Sequence, residues 1–439
     1  MKEANSCHKL KSARGGSAMF LMCFLAYAST YVGRLNYSAA MAQMLLSNVI
    51  TKTQGGTIST VYFFCYGGGQ LINGFIADKA SPYKQITIGI LGAALANLGM
   101  YFAPGYVLMA LLWGLNGYFQ SLVWAPILRI VAQVIPDSLQ KKSLMGLAST
   151  TAIGSLSAYL LSSAVMTVLS WQYVFLASAA VMLISCGIWV VKTRLILRED
   201  EGITAADIPA PAMPQEAAPR EPVEPKGAPQ IAAHSLWWLL AASGLAVVII
   251  PLMINGMLKD GMTAWIPTFL TEIFHAPAQL AVLASTLLPV INLTGAYAAY
   301  YINDHFFHNE VATSSFFFAL SGVCVTLLYF FSGVNMIFTM LLFAIVTSSM
   351  LAINTMLVSL VPVRFGRYGK TATMSGIFNS MAYIGCAISN YLIGYISELF
   401  GWNTTIIVWA VCCALAVAGC ALAAGRWKKF ALSDESVSA

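Results

Sequence analysis

Two basic residues lie inside long apolar stretches of this chain, where a charge is costly. Arg34 lies in the run AMFLMCFLAYASTYVGRLNYSAAMAQMLL, and Lys259 lies in LAVVIIPLMINGMLKDGMTAWIPTFL. A charged side chain at bilayer depth normally faces a bundle interior or a water-filled pathway. A guanidinium also offers five donors in a fork that matches phosphate or carboxylate. The two residues therefore predict a buried site for an anion.

The first basic residue has an aromatic face beside it. Tyr27, Tyr31 and Arg34 are spaced i, i+4 and i+7, which places the three side chains on one face of a helix. The phenol hydroxyls would add hydrogen-bond donors beside the guanidinium. The alternative is an arginine that extends to the membrane interface, but its position well inside the apolar run favours a buried pathway.

The second basic residue is followed at once by an acid, Asp260. Adjacent side chains on an α-helix point about 100° apart, so we expect poor geometry for a direct pair between Lys259 and Asp260. Lys259 is then expected to face the same cavity as Arg34, and a mutually neutralising pair at a helix end is the alternative. Asp260 could weaken the positive field, pair with Arg34 in the empty site, or titrate. With Arg129, these charges inside apolar runs sum to two positive charges, which favours an anionic ligand.

Three further charged residues are expected near helix ends. Arg129 precedes Pro136 by seven residues, near one end of the fourth apolar run, and we expect it to bind carbonyls or Asp78 at a gate. Asp78 follows the second run in the loop GFIADKASPYK, and Asp304 follows the eighth run at the related position. A gating or structural role is predicted for all three, and an ordinary solvated loop is a comparable alternative for the acids.

The composition places these residues in lipid. Of the 439 residues, 59% are hydrophobic and 9% are charged, whereas soluble domains carry about 25% charged residues. The apolar runs are about 20 residues long, which is enough for a helix to cross a hydrocarbon core of about 30 Å. We predict an all-α membrane protein with twelve transmembrane helices. The predicted spans are 18–46, 56–77, 85–104, 106–134, 143–168, 171–192, 235–273, 279–302, 311–332, 335–361, 372–398 and 403–425.

A proline-rich segment separates the sixth span from the seventh. REDEGITAADIPAPAMPQEAAPREPVEPKGAPQ holds seven of the 16 prolines and cannot bury a core, so it is predicted to be a disordered or extended linker. Nineteen of the 23 lysines and arginines fall on the side of the termini and the linker, which predicts cytoplasmic termini in the plasma (inner) membrane. The predicted parts are a tail 1–17, a six-helix half 18–193, the linker 194–234, a second half 235–426 and a tail 427–439.

The two halves share landmarks at a nearly constant offset. Arg34 matches Lys259 at an offset of 225 residues, and the other offsets drift only to 231. The remaining matches are Asp78 with Asp304, Pro136 with Pro362, and Gly154 and Trp171 with Gly385 and Trp402. Landmarks in register predict two parallel, pseudo-symmetric six-helix repeats, an architecture typical of the major facilitator fold.

Other motifs indicate neither an enzyme nor a cofactor. The nine cysteines form no CxxC pair and mostly lie in apolar runs, where they serve as small filler rather than as disulfides or metal ligands. The glycines 67–69 are not followed by a Gly-Lys-Ser/Thr sequence, so they favour close helix packing or a flexible gate over a phosphate loop. The net charge of +6 is spread over loops and tails, which does not indicate nucleic acid. A monomer without metal or cofactor is expected.

Several stretches resemble the organophosphate:phosphate antiporter family of the major facilitator superfamily, which includes glycerol-phosphate and hexose-phosphate transporters. They are YVGRLNYS in span one, GYFQSLVWAPILR in span four, LKDGMTAWIPTFL in span seven, and GIFNSMAYIG…GY…FGW in spans eleven and twelve. The resemblance covers nearly the whole chain. Its most specific part is the pattern GxFQxxxWxPxxR, formed by Gly117, Phe119, Gln120, Trp124, Pro126 and Arg129.

The resemblance implies a central cavity where one basic residue from each half holds a phosphoryl group, with tyrosine hydroxyls as partners. It also implies exchange by rocking of the halves. The predicted substrate-binding residues are Arg34, Lys259, Tyr27, Tyr31, Tyr66, Gln120, Trp124 and Tyr383, with Asp260 in coupling or charge balance.

The chain departs from that family at several positions. Lys259 stands where family members commonly have arginine, and a lysine is a point charge rather than a fork. Leu35 and Gln70 stand where some members have lysine, and Thr151 stands where some have histidine. The predicted site is therefore less basic, which leaves the charge of the substrate and the antiport partner open.

Three functions remain from the sequence. The first is exchange of a small organophosphate for inorganic phosphate by alternating access. The second is proton-coupled symport of a carboxylate or sugar acid with Asp260 as the proton carrier. It is suggested by a neighbouring family of anion:cation symporters, which also has an arginine and an asparagine in span one, like Arg34 and Asn36. The third is a transporter-like membrane sensor. The expected partners are a small anion (phosphate ester, inorganic phosphate or carboxylate) and the lipid bilayer.

Overall fold

A computed structural model describes residues 9–77, 80–199, 235–365, 368 and 370–438. Among these residues the chain forms helices and connecting turns, without a strand. The first seven helices are α1 (Ala13–Leu46), α2 (Lys52–Ala77), α3 (Pro82–Phe102), α4 (Tyr106–Ser121), α5 (Trp124–Gln133), α6 (Asp137–Val168) and α7 (Gln172–Glu199).

The helices after residue 235 range from three to 38 residues and are accompanied by three π-helical turns. The α-helices are α8 (Leu236–Ala242), α9 (Ile249–Gly256), α10 (Met262–Phe274), α11 (Ala278–Ala284), α12 (Leu287–Ile302), α13 (Glu310–Phe331), α14 (Met336–Asn354), α15 (Val361–Val363), α16 (Thr371–Leu399) and α17 (Gly401–Ser438). The π-turns are Met257–Gly261, Asn303–Phe307 and Thr355–Leu360.

These helices correspond in order to the twelve predicted spans. Among the described residues, nine helical segments are long and apolar enough to cross a membrane. The other three correspond to the second, seventh and eleventh predicted spans. The seventh is divided among α8, α9, a π-turn and α10, while α2 and α16 are long but carry many glycine, serine, threonine and asparagine residues.

Two helices extend beyond the predicted boundaries. Helix α7 continues to Glu199, past the predicted end of the first half, and residues 200–234 of the predicted linker lie outside the described residues. Helix α17 continues to Ser438, through the segment predicted as a tail. The extension of α17 is explained by packing, because the buried Trp427 donates from Nε1 to Glu310 Oε2 at 2.8 Å and stacks on Phe365. The sequence prediction considered hydropathy alone and so ended this helix too early.

The chain divides into two compact units. Unit 1 is Met1–Tyr37 with Cys65–Gln230, and unit 2 is Ser38–Phe64 with Ile231–Ala439. This division differs from the predicted halves, because the residues around the α1–α2 connection belong to unit 2.

Polar contacts within unit 2 explain this assignment. Lys52 Nζ lies 2.7 Å from Glu272 Oε2, and Trp402 Nε1 donates to the same oxygen at 2.7 Å. The Thr53 backbone N–H donates to Glu398 Oε2 at 2.6 Å. The start of α2 is thus fixed to α10, α16 and α17 by charge-assisted hydrogen bonds, which are stronger than neutral ones.

The core of unit 1 is built from α1, α3, α5, α6 and α7. Fully buried aliphatic side chains such as Ile86 and Ile127 meet there, and Tyr83 stacks on Trp189 with ring centroids 6.0 Å apart. The core of unit 2 includes an aromatic group, where Phe269 lies 5.1 Å from Phe343, measured between ring centroids. Phe269 lies at the same distance from Trp402.

Repeat-related glycines make equivalent close contacts inside each unit. A Cβ added to Gly154 would lie 2.7 Å from the carbonyl oxygen of Ala28, so α6 and α1 pack backbone to backbone. In unit 2, a Cβ added to Gly385 would overlap the carbonyl of Met253, so α16 packs in the same way on α9. Ala28 and Met253 are 225 positions apart, the same offset as the two basic residues. Small residues permit such close approach of helices in membranes, and these contacts support the predicted repeat.

Candidate functional site

Arg34 lies on α1 between two tyrosine rings of unit 1. Its guanidinium carbon is 5.7 Å from the ring centroid of Tyr31 and 5.2 Å from that of Tyr66 on α2. Both distances fall within the range in which a cation is attracted to the face of an aromatic ring. The rings therefore restrict the guanidinium without neutralising it.

A second aromatic pair continues this face. Tyr27 meets Tyr31 edge to face with ring centroids 5.5 Å apart, and its other neighbour is Trp124 at 4.6 Å. Tyr27, Tyr31 and Trp124 are half-buried, whereas Tyr66 is buried. The structure thus brings together five of the predicted site residues in unit 1, on α1, α2 and α5.

The hydroxyls of the two tyrosines that flank Arg34 have defined partners. Gln70 Nε2 donates to the Tyr66 hydroxyl at 3.1 Å, and Thr151 Oγ1 donates to the Tyr31 hydroxyl at 3.2 Å. An amide nitrogen is only a donor, so the Tyr66 oxygen accepts this bond and its hydrogen points away from Gln70. From the sequence, Gln70 and Thr151 were noted only as departures from a family pattern. Through these contacts, Gln70 and Thr151 orient the hydroxyls of Tyr66 and Tyr31.

Four buried amide side chains surround the backbone next to Arg34. The carbonyl oxygen of Gly33 accepts from Asn97 Nδ2 at 3.1 Å, from Asn116 Nδ2 at 2.8 Å and from Gln120 Nε2 at 3.2 Å. Asn36 Nδ2 donates to Asn97 Oδ1 at 2.7 Å, and Gln120 Nε2 also donates to Asn116 Oδ1 at 3.0 Å. We call Asn36, Asn97, Asn116 and Gln120 the amide cluster. Each of the four is at most 3% exposed.

The sequence interpretation missed Asn97 and Asn116 and gave Gln120 a direct substrate contact. In the structure, the amide nitrogen of Gln120 is directed at the backbone of α1. The signal was present in the sequence, because amide side chains inside predicted spans three and four are costly in lipid and so indicate a defined role.

Lys259 has a different setting, on a π-helical turn of unit 2. Its Nζ lies 3.2 Å from Asp260 Oδ2, so the expectation of poor pairing geometry was wrong. A π-helix closes i→i+5 hydrogen bonds, holds more residues per turn than an α-helix, and so separates neighbours by a smaller angle. The two side chains are 24% and 27% exposed, which leaves both accessible.

The π-turn is packed tightly against α16. A Cβ added to Gly256 would overlap the carbonyl of Ala382, and one added to Gly261 would overlap Ser389 Oγ. The half-buried Tyr383 directly follows Ala382 on α16. Within unit 2, Lys259, Asp260 and Tyr383 therefore lie on two elements in direct contact.

Two of the three predicted gating residues are among the described residues. Arg129 on α5 donates to the Ala80 carbonyl at 2.9 Å and to Gln133 Oε1 at 3.0 Å. Asp78 lies outside the described residues. Asp304 is exposed on the π-turn Asn303–Phe307.

Across the described residues, no group of three or more His, Cys, Asp or Glu side chains could hold a metal ion. The eight described cysteines are free thiols.

Comparisons with known proteins extend over nearly the whole chain. The family model described as Major Facilitator Superfamily matches residues 19–390. A probable hexose phosphate transport protein of Chlamydia pneumoniae is 23% identical over 424 residues, covering 91% of this chain and 89% of that protein. The glycerol-3-phosphate transporter of Bacillus subtilis (strain 168) is 22% identical over 418 residues, covering 92% of this chain and 91% of that protein.

Two further comparisons are a relative that matches about half of the chain and a solved structure with a similar fold. The D-galactonate transporter of Escherichia coli O6:H1 is 24% identical over 202 residues, covering 45% of this chain and 47% of that protein. Among solved structures, a bacterial homolog of the human lysosomal transporter Spinster has a TM-score of 0.72 at 13% identity, covering 95% of this chain and 99% of that chain. This structural likeness confirms the predicted fold class.

Proposed function

The chain belongs to the major facilitator superfamily, and we propose that it is a secondary transporter that exchanges a small phosphorylated organic anion for inorganic phosphate. The arrangement around Arg34 carries this proposal. An arginine fork flanked by two oriented phenols matches the oxygens of a phosphoryl group. The full-length likeness to proteins described as hexose phosphate and glycerol-3-phosphate transporters supports the same substrate class.

In unit 1, Arg34 binds two phosphoryl oxygens, while Tyr31 and Tyr66 donate from their hydroxyls. The bonds from Thr151 and Gln70 orient these phenols as donors toward other partners. Tyr27 and Trp124 offer an aromatic surface for the carbon part of the ester.

In unit 2, Lys259 supplies the second positive charge and Tyr383 a further hydroxyl. Asp260 competes with the anion for Lys259, because an ammonium paired at 3.2 Å must give up part of that contact to bind another oxygen. Substrate binding and the Lys259–Asp260 pair are thereby coupled. Differential contacts of this kind are what allow a ligand to shift a conformational equilibrium and drive alternating access.

We further propose a plasma-membrane location with both termini in the cytoplasm, and a monomeric transporter. The excess of lysine and arginine on the side of the termini and the linker supports this orientation. Arg129 is assigned to the cytoplasmic gate, where its bond to the Ala80 carbonyl fixes the end of the α2–α3 loop to α5. Asp78 and Asp304, which follow repeat-related spans, are assigned to the same gate.

Counterflow in proteoliposomes tests the proposed exchange. Vesicles loaded with inorganic phosphate should take up labelled phosphate, glycerol 3-phosphate or hexose phosphates, and the same vesicles loaded with chloride should not. Absence of exchange with every phosphate compound would sink the proposal.

A proton-coupled carboxylate symporter is the second candidate. It is supported by the acid beside Lys259 and by the half-length likeness to a D-galactonate transporter. Uphill sugar-acid uptake driven by an inward proton gradient, and lost in Asp260→Asn, would favour this candidate over exchange. Binding of either anion without flux would instead favour a membrane sensor.

A further inference from the structure

We propose that the amide cluster positions Arg34. It fixes the turn of α1 that carries this residue, and so sets the position along the helix axis and the orientation at which the guanidinium meets the anion. The inference rests on the proposed role of Arg34 as the anion ligand. It assigns Asn97, Asn116 and Gln120 to orientation of the site rather than to contact with substrate.

The bonds converge on a single backbone atom. Three amide nitrogens, one from α3 and two from α4, lie 2.8–3.2 Å from the carbonyl oxygen of Gly33. That carbonyl belongs to the peptide whose nitrogen is the backbone nitrogen of Arg34. Asn36, two residues after Arg34, donates from Nδ2 to Asn97 Oδ1. Two neighbouring helices thus fix the turn of α1 that carries the guanidinium.

The number of donors exceeds what satisfaction of the carbonyl requires. A carbonyl oxygen has two lone pairs, whereas three side-chain donors are directed at this one. Helices in lipid associate well through small apolar residues, so packing of α1 on α3 and α4 does not need four buried amides. All four amide nitrogens of the cluster donate a hydrogen bond, while Asn36 Oδ1 is buried without a partner. Buried polar groups that are bonded in this way make the local arrangement rigid and unique. Rigidity at the peptide of Arg34 is the property this network adds.

The cluster also changes the electrostatics beside Arg34. The carbonyl oxygen of Gly33 accepts the helix's own i+4 hydrogen bond inside α1, yet it still carries a partial negative charge that repels an approaching anion. Donors from Asn97, Asn116 and Gln120 offset that charge at the peptide next to the guanidinium. The network thereby favours an anion without adding a formal charge.

Glycine at position 33 makes this approach possible. An added Cβ would overlap Met182 Sδ on α7 and would lie 3.1 Å from Asn97 Nδ2. A larger residue would require Met182 to change its rotamer and Asn97 Nδ2 to shift by a few tenths of an ångström, which would lengthen the bond from Asn97 to the carbonyl. Close packing of α1 on α3 and α7 at Gly33 thus contributes to the positioning of Arg34.

The test uses Asn116→Leu, Gln120→Met and the double variant in the full-length chain, with Asn73→Leu as the matched control. Asn73 is a buried asparagine of the same unit, but its Nδ2 donates to Ser121 Oγ at 2.6 Å. Four quantities are measured for each protein: the melting temperature, the KM of phosphate exchange, its maximal rate, and the rate at which phenylglyoxal modifies Arg34. Mass spectrometry follows this modification.

We expect the KM for phosphate to rise about 3-fold in the single variants and about 30-fold in the double variant, since a misplacement of about 1 Å can cost 100-fold. The maximal rate should change less than 2-fold, and Arg34 should react several-fold faster with phenylglyoxal. In an Arg34→Lys background the same substitutions should add little, because they act through the arginine. Asn73→Leu should leave the KM and the Arg34 reaction rate at their wild-type values.

Unchanged KM and unchanged Arg34 reactivity in the double variant would overturn the inference. So would full additivity with Arg34→Lys, or an equal effect of Asn73→Leu. If the double variant does not fold, Gln120→Asn keeps an amide with a shorter reach, and a wild-type KM there would count against positioning. If wild-type protein exchanges no phosphate compound, the proposed function fails, but the phenylglyoxal rate still tests the cluster because it needs no substrate.

Discussion

Arg34 and Lys259 occupy repeat-related positions, yet the protein holds them in opposite ways. Arg34 lies on an uninterrupted α-helix, between aromatic rings, beside a carbonyl bound by three buried amides. Lys259 lies on a π-turn and is paired with its neighbour Asp260. The first cation is restricted by two rings and by the bound carbonyl beside it, whereas the second is paired with an acid on the same turn. We infer that one repeat provides a rigid anchor and the other an exchangeable contact.

The difference in side-chain chemistry agrees with the difference in setting. A guanidinium is always charged and binds phosphate through two parallel bonds, so it gains from being held in one orientation. An ammonium is a point charge on a flexible stem, so it can move between Asp260 and a ligand. π-Turns inside α-helices are frequent at functional sites, and the one at Met257–Gly261 carries Lys259 and Asp260.

Removal of the fixed cation should have the largest effect. Arg34→Ala should lower phosphate exchange by about 100-fold or more, which corresponds to about 2.8 kcal/mol at 1.4 kcal/mol per tenfold change. Exchange in proteoliposomes is measured after matching the amount of inserted protein. Wild-type flux in this variant would refute the assignment of Arg34.

Removal of the exchangeable cation should have a smaller effect. Lys259→Ala should reduce exchange by about 10-fold, because Asp260 already offsets part of its charge in the wild type. The matched double variant Lys259→Ala with Asp260→Ala should recover part of the loss, since it also removes a negative charge from the turn. A Lys259→Ala loss as large as that of Arg34→Ala would remove the proposed difference between the repeats.

Removal of the acid alone should act in the opposite direction. In Asp260→Asn, Lys259 loses its competitor, so the KM for phosphate should fall about 3-fold at low ionic strength, and the change should shrink as salt is added. The measurement is the salt dependence of exchange kinetics. A rise in KM, or loss of proton-driven uptake with exchange unaffected, would contradict competition.

Loss of the hydrogen bonds that orient the tyrosines should have the smallest effect. Gln70→Leu and Thr151→Val should each raise the KM by about 2- to 5-fold, in line with about 0.5–1 kcal/mol for one neutral hydrogen bond. Thr151→Ser, which keeps the hydroxyl, is the control and should behave as wild type. Equal effects of the valine and serine variants would exclude the hydroxyl as the cause.

The fold was largely predictable from the sequence, because hydropathy and helix length are local properties. The twelve-helix arrangement and the repeat followed from apolar runs and from the offset between Arg34 and Lys259. The aromatic face of Tyr27 and Tyr31 followed from helical spacing and is present in the structure. The position of Tyr66 beside Arg34 depends on packing of α2 on α1, so helical spacing within one segment could not predict it. Tyr66 was predicted as a site residue only from the family resemblance.

Other features depend on structure that the sequence pattern does not show. The Lys259–Asp260 pair was predicted only as the alternative, because the π-turn that carries both side chains was not expected, and the extension of α17 includes a contact between Trp427 and Glu310. The assignment of residues 38–64 to unit 2 depends on long-range contacts such as Lys52 with Glu272. None of these follows from the periodicity of a single segment.

The central claim is that a rigid arginine in one repeat and an exchangeable lysine in the other bind a phosphoryl group. Its most direct test is labelled-phosphate counterflow by Arg34→Lys and Lys259→Arg, measured beside wild type in the same proteoliposomes. We predict that Arg34→Lys loses most of the exchange, because the fork is lost at the fixed position, whereas Lys259→Arg retains it within a few-fold. Equal losses in the two variants, or no phosphate exchange by wild-type protein, would contradict the account.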